Sequence, residues 1–355
     1  MQYEIISFGE LSSEQLEQWE KLQHSNPSLW SPYFNLEFIE LVAHVRNDVK
    51  IIVVSKQSAS IGFLPCQINT SRIVRPVAGA LSDNHGIICA QDTNITISKM
   101  LSELRLKRFE YNHFLGSQKS FLLNTFMSDV SPIIDLSRGF EYYLSDLKKK
   151  KSKLESKIRK AYRRLEQDSC TIEFNLFSTD KKDLEFVIKT KQQQFLNTLG
   201  IDPFQHDWIR GLFNKLFEIK KDNFEGVLST FKINGQLAAA HFGMKNNKVW
   251  HWWFPVYDRS FQQYTPGLLI LFEMAKKISE LDVAYIDLGK DKVQYKRMFS
   301  NNHIVLLEGI EVNQDEIIQS VYSALASWYI NNPDNISSRV INKIVRFNNK
   351  GNRFL

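Results

Sequence analysis

Residues 249–296 read VWHWWFPVYDRSFQQYTPGLLILFEMAKKISELDVAYIDLGKDKVQYK, and this stretch decides the fold. Apolar and aromatic residues dominate 249–254 on both faces, which predicts a buried strand that Pro255 ends. Thr265 stands at a helix N-cap with Pro266 as the first helical residue, because proline lacks the N–H that this position leaves unpaired. Apolar spacings of three and four predict the helix up to Ile278, and 283–288 predict a second buried strand.

The turn between this strand and this helix predicts a binding site for an anion. Free N–H groups and the helix dipole both point at a ligand in front of a helix N-terminus. Gly267 leaves space beside those amides. The sequence therefore predicts a phosphate-bearing ligand at Thr265 to Gly267.

Both halves of the chain predict two helices followed by a β-hairpin. The first half has helices at 13–23 and 36–45 and a hairpin at 49–68; the second has helices at 181–196 and 206–220 and a hairpin at 226–244, turning at Asn234-Gly235. This plan predicts a duplicated α/β (α+β) fold. We place the domains at 1–140 and 141–312, with a helical tail at 313–355.

Composition narrows the class of protein. The chain has 355 residues, 43% hydrophobic content and a net charge of +6. It shows no apolar run long enough for a transmembrane segment and no secretory leader at Met1, so we expect a cytoplasmic location. The cysteines, Cys66, Cys89 and Cys170, lack metal or disulfide spacing, and no metal dependence is expected. Motifs of serine hydrolases, P-loop ATPases, zinc proteases and dinucleotide enzymes are absent.

Basic residues are concentrated in one helical segment, from Lys148 to Arg164. Its apolar positions from Leu147 to Leu165 predict a narrow buried stripe and a broad basic face. A solvated surface helix and a surface that attracts an anionic substrate both explain this pattern. Binding of nucleic acid is not expected, because no aromatic residues alternate with the charges.

Two polar residues interrupt apolar strands, and each is either a satisfied core residue or a catalytic one. His241 lies inside a predicted hairpin strand, and an imidazole there is a candidate general base. Asp287 lies inside the strand 283–288, where a carboxylate must be hydrogen-bonded or face a cleft.

Other polar residues have equally open interpretations. Tyr295 and Lys296 form an exposed basic loop or contact a phosphate. Asp83 and His85 are loop residues or site residues, Tyr257 and Asp258 are turn residues or substrate contacts, and Trp252 and Trp253 are core residues or a ligand platform.

With these residues in view, the chain resembles tandem acyltransferases of the GNAT superfamily, in the branch of CelD proteins related to FemAB peptidyltransferases. The resemblance covers nearly the whole chain. Its marks include 34–38, 62–65, Ser82-Asp83, 157–165, 238–241, Tyr257-Asp258, 265–269, 285–289 and Tyr295-Lys296.

The resemblance implies two tandem GNAT-like domains, each with a mixed, largely antiparallel sheet flanked by helices. It implies acyl-coenzyme A bound by the second domain and an acceptor in the cleft between the domains. The residues implied to contact the donor are Trp252, Trp253, Phe254, Gln263, Tyr264, Thr265, Gly267 and Lys296. Those implied to contact the acceptor are Asp83, His85, Tyr257, Asp258 and Tyr295. The phosphate loop departs from the family pattern, because 263–267 keeps one glycine.

Some members of this family acylate nucleotide-linked amino sugars, and this activity is our hypothesis for the chain. An example is a dTDP-3-amino-3,6-dideoxyhexose with 3-hydroxybutanoyl-CoA, a reaction of surface polysaccharide synthesis. The amine would attack the thioester directly, with His241 or Asp287 as the base and a strand N–H near 252–254 holding the thioester oxygen. The alternatives are a FemAB-like peptidyltransferase that uses aminoacyl-tRNA and a non-catalytic, basic scaffold that binds nucleic acid.

Overall fold

A computed structural model describes residues 1–291 and 293–313. Contacts between Cα atoms divide the chain into unit 1, which is Met1–Val130 together with the chain from Val305 onwards, and unit 2, which is Ser131–Ile304. The sequence placed the first boundary at 140/141 and ended the second domain at 312. The helical tail that we predicted lies, apart from Asn313, outside the described residues.

The helices follow the predicted order. Among the described residues the α-helices are α1 (Ser13–Ser25), α2 (Leu36–Val45), α3 (Ile97–Glu103), α4 (Phe140–Lys149), α5 (Leu154–Gln167), α6 (Lys181–Leu199), α7 (Asp207–Glu218), α8 (Pro266–Ile278) and α9 (Gln294–Phe299). The predicted bounds of α2 are confirmed, and α8 begins at Pro266 as predicted.

The strands make up the second class of elements. In the described part of the chain they are β1 (Gln2–Ile6), β2 (Val49–Lys56), β3 (Ala59–Ile68), β4 (Ile73–Pro76), β5 (Ile88–Cys89), β6 (Arg108–Leu115), β7 (Thr125–Asp135), β8 (Ile172–Asn175), β9 (Lys220–Lys221), β10 (Phe224–Ile233), β11 (Gln236–Lys245), β12 (Val249–Tyr257), β13 (Tyr285–Asp287) and β14 (Asn302–Val312). Both predicted hairpins, β2–β3 and β10–β11, are confirmed.

The two units pair their strands in the same pattern. Unit 1 has the order β1-β2-β3-β4-β6-β14, and unit 2 has the order β8-β10-β11-β12-β13-β7. In each unit the fourth and fifth strands, β4 with β6 and β12 with β13, are parallel, and the other neighbours are antiparallel. The predicted duplication of a mixed, largely antiparallel α/β fold is thus confirmed.

The last strand of each sheet comes from an unexpected part of the chain. β14, near the end of the described residues, pairs with β6 in unit 1, with Leu306 opposite Leu115. β7, which follows β6 in sequence, pairs with β13 in unit 2, with Ile134 opposite Ile286. The sequence analysis predicted neither β7 nor β14.

Two predicted elements differ from the structure. β12 does not end at Pro255 but continues to Tyr257, with Pro255 opposite His241 on β11. The basic segment is not one helix, because Lys151 adopts a left-handed backbone (φ 54°) and separates α4 from α5.

Helix α5 carries the apolar stripe that the sequence predicted, and α8 buries an apolar face beside it. Leu154, Ile158, Ala161 and Leu165 of α5 are buried in the core of unit 2 together with Leu269, Leu271, Met274 and Ile278 of α8. Burying such side chains stabilises the unit by about 1.5–3 kcal/mol each. The basic residues of α5 stay on the exposed side, and this core fixes α8 against the end of β12.

Candidate active site

The pairing between β12 and β13 ends early and leaves part of β12 without a neighbour on that side. The parallel register consists of Val249 with Tyr285, Trp250 with Ile286 and His251 with Asp287. β12 continues to Tyr257, so 252–257 run past the end of β13. No described strand pairs with 252–257 on this side. Pro255 has no N–H, so β12 has no backbone donor at this position that would require a partner.

On its other side, β12 carries a bulge opposite Gly243. Phe242 pairs with Phe254 and Met244 with His251, so β12 has one residue more than β11 between these pairs. A Cβ on Gly243 would lie 2.2 Å from the carbonyl oxygen of His251. Glycine is therefore required for the strands to approach at the bulge.

The side chain of His241 fills the gap that this bulge opens in the ladder. Its Nε2 lies 3.2 Å from the backbone nitrogen of Trp253 and 3.2 Å from the carbonyl oxygen of His251. The ring stacks on the indole of Trp252, with centroids 4.5 Å apart and planes 4° apart. A neutral imidazole uses Nε2 for one of these two contacts, so it replaces one of the backbone hydrogen bonds that the extra residue removes.

Electrostatics make His241 a neutral group. The side chain is fully buried. Burial, with a smaller effect of the neighbouring His251 and Lys191, lowers the pKa of His241 from 6.5 to about 3. A group with such a pKa is a weak proton acceptor near pH 7. The structure therefore favours a positioning role for His241 at the bulge.

Asp287 lies at the end of the parallel pairing and is fully buried. Its Oδ1 accepts hydrogen bonds from the hydroxyl of Ser131 and from the backbone N–H of Gly289 (2.9 Å). Its Oδ2 lies 3.8 Å from Nδ1 of His251. These partners satisfy the requirement that a buried carboxylate be hydrogen-bonded, and they link β7, β12 and β13 at one point.

Helix α9 brings two predicted site residues to the same part of unit 2. The hydroxyl of Tyr295 accepts a hydrogen bond from Nε1 of Trp252 (3.1 Å), and burial raises the pKa of Tyr295 to about 12. Nζ of Lys296 donates to the carbonyl of Gly289 (3.0 Å). Lys296 is 9% exposed, so the interpretation of this segment as an exposed loop is wrong.

Two residues in this region were missed by the sequence analysis. Ser131 comes from β7 and Lys191 from α6, whose Nζ lies 5.9 Å from the ring centre of Phe254. Neither position carries a local signal, because one is an ordinary serine and the other stands in the polar run KTKQQQ. Ser131 and Lys191 come close to β13 and β12 only in the folded protein.

The N-terminus of α8 offers one amide to a ligand. Thr265 has a left-handed backbone (φ 51°), and its hydroxyl does not cap the helix, contrary to our prediction. Pro266 has no N–H, and the amides of Leu268 and Leu269 donate to the carbonyl of Thr265 (2.9 and 3.3 Å). The amide of Gly267 remains for a ligand.

The residues before this helix are held by α5 and by their own turn. Asp258 caps the short 3-10 helix Arg259–Tyr264 through the N–H of Ser260 (2.8 Å). Arg164 donates to the carbonyl of Gln263 (3.3 Å), and the hydroxyl of Tyr264 donates to Asp168 (2.7 Å). This hydrogen bond raises the pKa of Tyr264 to about 12. Tyr257 is exposed.

Asp83 and His85 belong to unit 1, in the loop before β5. Nε2 of His85 accepts hydrogen bonds from the backbone N–H groups of Asn112 (3.3 Å) and His113 (3.0 Å), which fixes this loop to β6. Oδ1 of Asp83 lies 3.9 Å from Nε2 of His113. His85 thus has a structural role, and Asp83 is the more exposed of the pair.

Two further observations concern the described residues. No three or more His, Cys, Asp or Glu side chains lie where together they could hold a metal ion, within 1–291 and 293–313. In the same part of the chain, no helix is both long enough and apolar enough to cross a bilayer.

The sequence of unit 2 matches a known family. Residues 152–297 match the model of the acetyltransferase (GNAT) domain. This range includes the bulge, the end of the parallel pairing and the start of α8. No curated protein matches the sequence.

Solved structures share the fold over most of the chain. FemX is 8% identical, with a TM-score of 0.57, over 91% of this chain and 100% of that chain. A tandem GNAT protein from the clavulanic acid biosynthesis pathway is 9% identical, with a TM-score of 0.51, over 88% and 100%. The C-terminal domain of a putative lysylphosphatidylglycerol synthetase from Agrobacterium fabrum is 12% identical, with a TM-score of 0.51, over 90% and 96%.

These structures are too distant to show more than the fold, which agrees with the repeated strand pairing of units 1 and 2. The activity class comes from the family match. Residues 152–297 therefore match an acetyltransferase (GNAT) domain, the strand order of both units agrees with a tandem GNAT-like fold, and the match indicates an acyltransferase.

Proposed function

We propose that the protein transfers an acyl group from acyl-coenzyme A to the amino group of a nucleotide-linked amino sugar. The observation that carries the proposal is the early end of the β12–β13 pairing, with α8 starting just after β12. A thioester can lie along the unpaired edge of β12 while the coenzyme's diphosphate lies at the amide of Gly267.

The chemistry is a direct attack of a neutral amine on the thioester. A backbone N–H on 252–254 stabilises the developing oxyanion, and of these the N–H of Trp253 is already bound to His241. No acyl-cysteine is needed. Cys66 and Cys89 are buried, and burial raises the pKa of the Cys66 thiol above its usual range and that of Cys89 to about 11.

The charge distribution supports anionic reactants. Lys157, Lys160, Arg163 and Arg164 are exposed on α5, and Arg164 reaches the carbonyl of Gln263 beside the start of α8. Coenzyme A and a nucleotide-linked sugar both carry phosphates, so a basic surface raises their local concentration. We infer that the reaction belongs to surface polysaccharide synthesis and takes place in the cytoplasm, because both reactants are made there.

The test is a screen for release of free thiol. The intact protein is incubated with pairs of acyl-CoAs and nucleotide-linked amino sugars, including 3-hydroxybutanoyl-CoA with a dTDP-3-amino-3,6-dideoxyhexose. We expect thiol release that requires both partners, and an amide product by mass spectrometry. Matched sugars with hydroxyl in place of the amine are the control and should release no thiol.

Two other results would overturn the proposal. RNase-sensitive transfer of an amino acid onto a peptidoglycan precursor, with no thiol release, would indicate a FemAB-like peptidyltransferase. Retention of RNA or DNA that falls steeply with salt, with no thioester consumed, would indicate a binding scaffold.

A further inference from the structure

Lys191 is a cation without a counter-ion in the core region of unit 2. Its Nζ makes no hydrogen bond or ion pair with any side chain in 1–291 or 293–313, and its nearest recorded contact is the ring of Phe254 at 5.9 Å. Phe254 is 4% exposed and lies on the part of β12 beyond the β13 pairing. A partly buried ammonium without a carboxylate is unfavourable unless the site uses it.

The groups around α6 provide no compensating charge. Helix α6 packs on β10, β11, β12 and the short helix Pro203–Gln205. The carboxylates there are already engaged: Glu225 binds Lys220 and Lys245, and Asp202 accepts from Gln192. Other titratable residues on or beside these elements are Lys232, His241, His251, His206 and Tyr257, and Lys296 of α9 acts electrostatically on Lys191.

Desolvation and a neighbouring cation both favour the neutral form of this amine. Burial and, to a smaller extent, the ammonium of Lys296 together lower the pKa of Lys191 from 10.5 to about 8. An amine in this range is an effective proton acceptor near neutral pH. Lys296 is different, because its ammonium already donates to the carbonyl of Gly289.

We propose that Lys191 is the general base of acyl transfer, a role that rests on the proposed function. His241 and Asp287 are fully buried and held by Trp253, Ser131 and Gly289, whereas Nζ of Lys191 lies 5.9 Å from the ring centre of Phe254, on the part of β12 beyond the β13 pairing.

The proton balance is simple. Neutral Nζ of Lys191 takes one proton from the acceptor ammonium, which leaves an amine with a free electron pair. The amine nitrogen then forms a C–N bond with the thioester carbon, the C–S bond breaks, and one of the two remaining nitrogen protons passes to the departing thiolate while the other stays on the amide. The Lys191 ammonium returns its proton to solvent.

The first test compares Lys191→Met and Lys191→Arg with Lys189→Met. Lys189 is on the same helix with its side chain 77% exposed, so it is a matched control. Both Lys191 variants should lower kcat by about 10²–10⁴-fold with little change in KM, since a guanidinium does not deprotonate near neutral pH. In the wild type, kcat should rise with pH around pH 8, and both Lys191 variants should lack this rise.

Retained turnover in Lys191→Arg would overturn the proposal and indicate that Lys191 only binds an anion. An unchanged rise of kcat around pH 8 in Lys191→Met would overturn it as well. Thermal unfolding of each variant separates loss of chemistry from loss of fold, and partial rescue of Lys191→Met by added ethylamine would support the proton-transfer role.

A second measurement does not depend on the substrate. Competitive labelling of the wild-type protein with acetic anhydride over a pH series, read by mass spectrometry, gives the titration of each lysine. We expect the labelling of Lys191 to have its midpoint near pH 8, and Lys189 serves as the reference. The same labelling midpoint for Lys191 and Lys189 would refute the base role. A Lys191 midpoint near pH 8 together with no thiol release would count against the proposed function alone.

Discussion

Nε2 of His241 lies 3.2 Å from the backbone nitrogen of Trp253, at the bulge where β12 has one residue more than β11. A side chain from one strand thus satisfies a backbone group of its neighbour. The geometry of the unpaired edge of β12 depends on this contact, because the bulge sets the direction of the strand beyond it.

Replacing His241 with glutamine should remove a pH dependence of stability. Since the folded pKa is near 3 and the unfolded value is 6.5, the neutral imidazole stabilises the fold fully above pH 6.5, and this contribution declines as the pH falls towards 3. Between pH 7 and 5, the wild type should lose about 2 kcal/mol more unfolding free energy than His241→Gln. Urea unfolding at both pH values measures this difference, and parallel losses would contradict it.

Gly243→Ala should destabilise unit 2. The added Cβ would lie 2.2 Å from the carbonyl oxygen of His251 and 2.8 Å from Nε2 of His241, so the bulge must move. We expect a loss of about 1–3 kcal/mol in chemical denaturation. Gly9→Ala is the control, because a Cβ there meets no atom within 4 Å, and it should change stability by less than about 0.5 kcal/mol.

Asp287→Asn should weaken the end of the parallel pairing. The side chain joins Ser131, Gly289 and the neighbourhood of His251, so the loss of charge should lower stability by about 1–3 kcal/mol and reduce turnover. Asp282→Asn removes the charge of a residue whose side chain is 92% exposed and should have little effect. Equal unfolding midpoints for the two variants would show that the buried contacts contribute nothing.

Gly267→Ala separates binding of the donor from stability. A Cβ at Gly267 meets Cδ1 of Tyr257 at 3.5 Å, an ordinary contact, so the fold should be retained or gain up to about 1 kcal/mol. If the coenzyme's diphosphate lies against this amide, the added Cβ should obstruct its approach, and KM for acyl-CoA should rise by roughly tenfold, about 1.4 kcal/mol of binding free energy. Steady-state kinetics at saturating acceptor measures KM for acyl-CoA, and an unfolding curve measures stability. An unchanged KM with retained stability would contradict binding of the diphosphate at Gly267.

The three cysteines should react with thiol reagents at different rates. Cys66 and Cys89 are 0% and 1% exposed, while Cys170 is partly exposed. With Ellman's reagent, the native protein should show one rapidly reacting thiol, and this phase should be absent in Cys170→Ser. Denatured protein should release the remaining two equivalents. Rapid reaction of two thiols in native Cys170→Ser would indicate a more open core.

Elements with strong local signals could be predicted from the sequence. The turn Asn234-Gly235 fixed the β10–β11 hairpin, and Pro266 marked the start of α8. The helix α2 was predicted from its apolar periodicity alone. In each case the deciding residues are neighbours in sequence, so the physical preference is visible locally.

Features that depend on distant pairing could not be predicted. β14 contains a buried glutamate, Glu311, whose Oε1 accepts from the N–H groups of Leu123 and Asn124, so the strand does not look apolar in sequence. The hydrogen bond of Ser131 to Asp287 joins residues 156 positions apart. The burial of Lys191 likewise results from packing of α6 on β12, which a polar sequence does not reveal.

The origin of β14 has a consequence for synthesis on the ribosome. Leu306 must be made before it can pair with Leu115, so the edge of β6 stays uncovered for on the order of ten seconds while unit 2 is translated. An uncovered edge strand can pair with another nascent chain. The amino-terminal unit therefore cannot complete its strand order before β14 has been translated. Until then, the edge of β6 remains a site for aggregation.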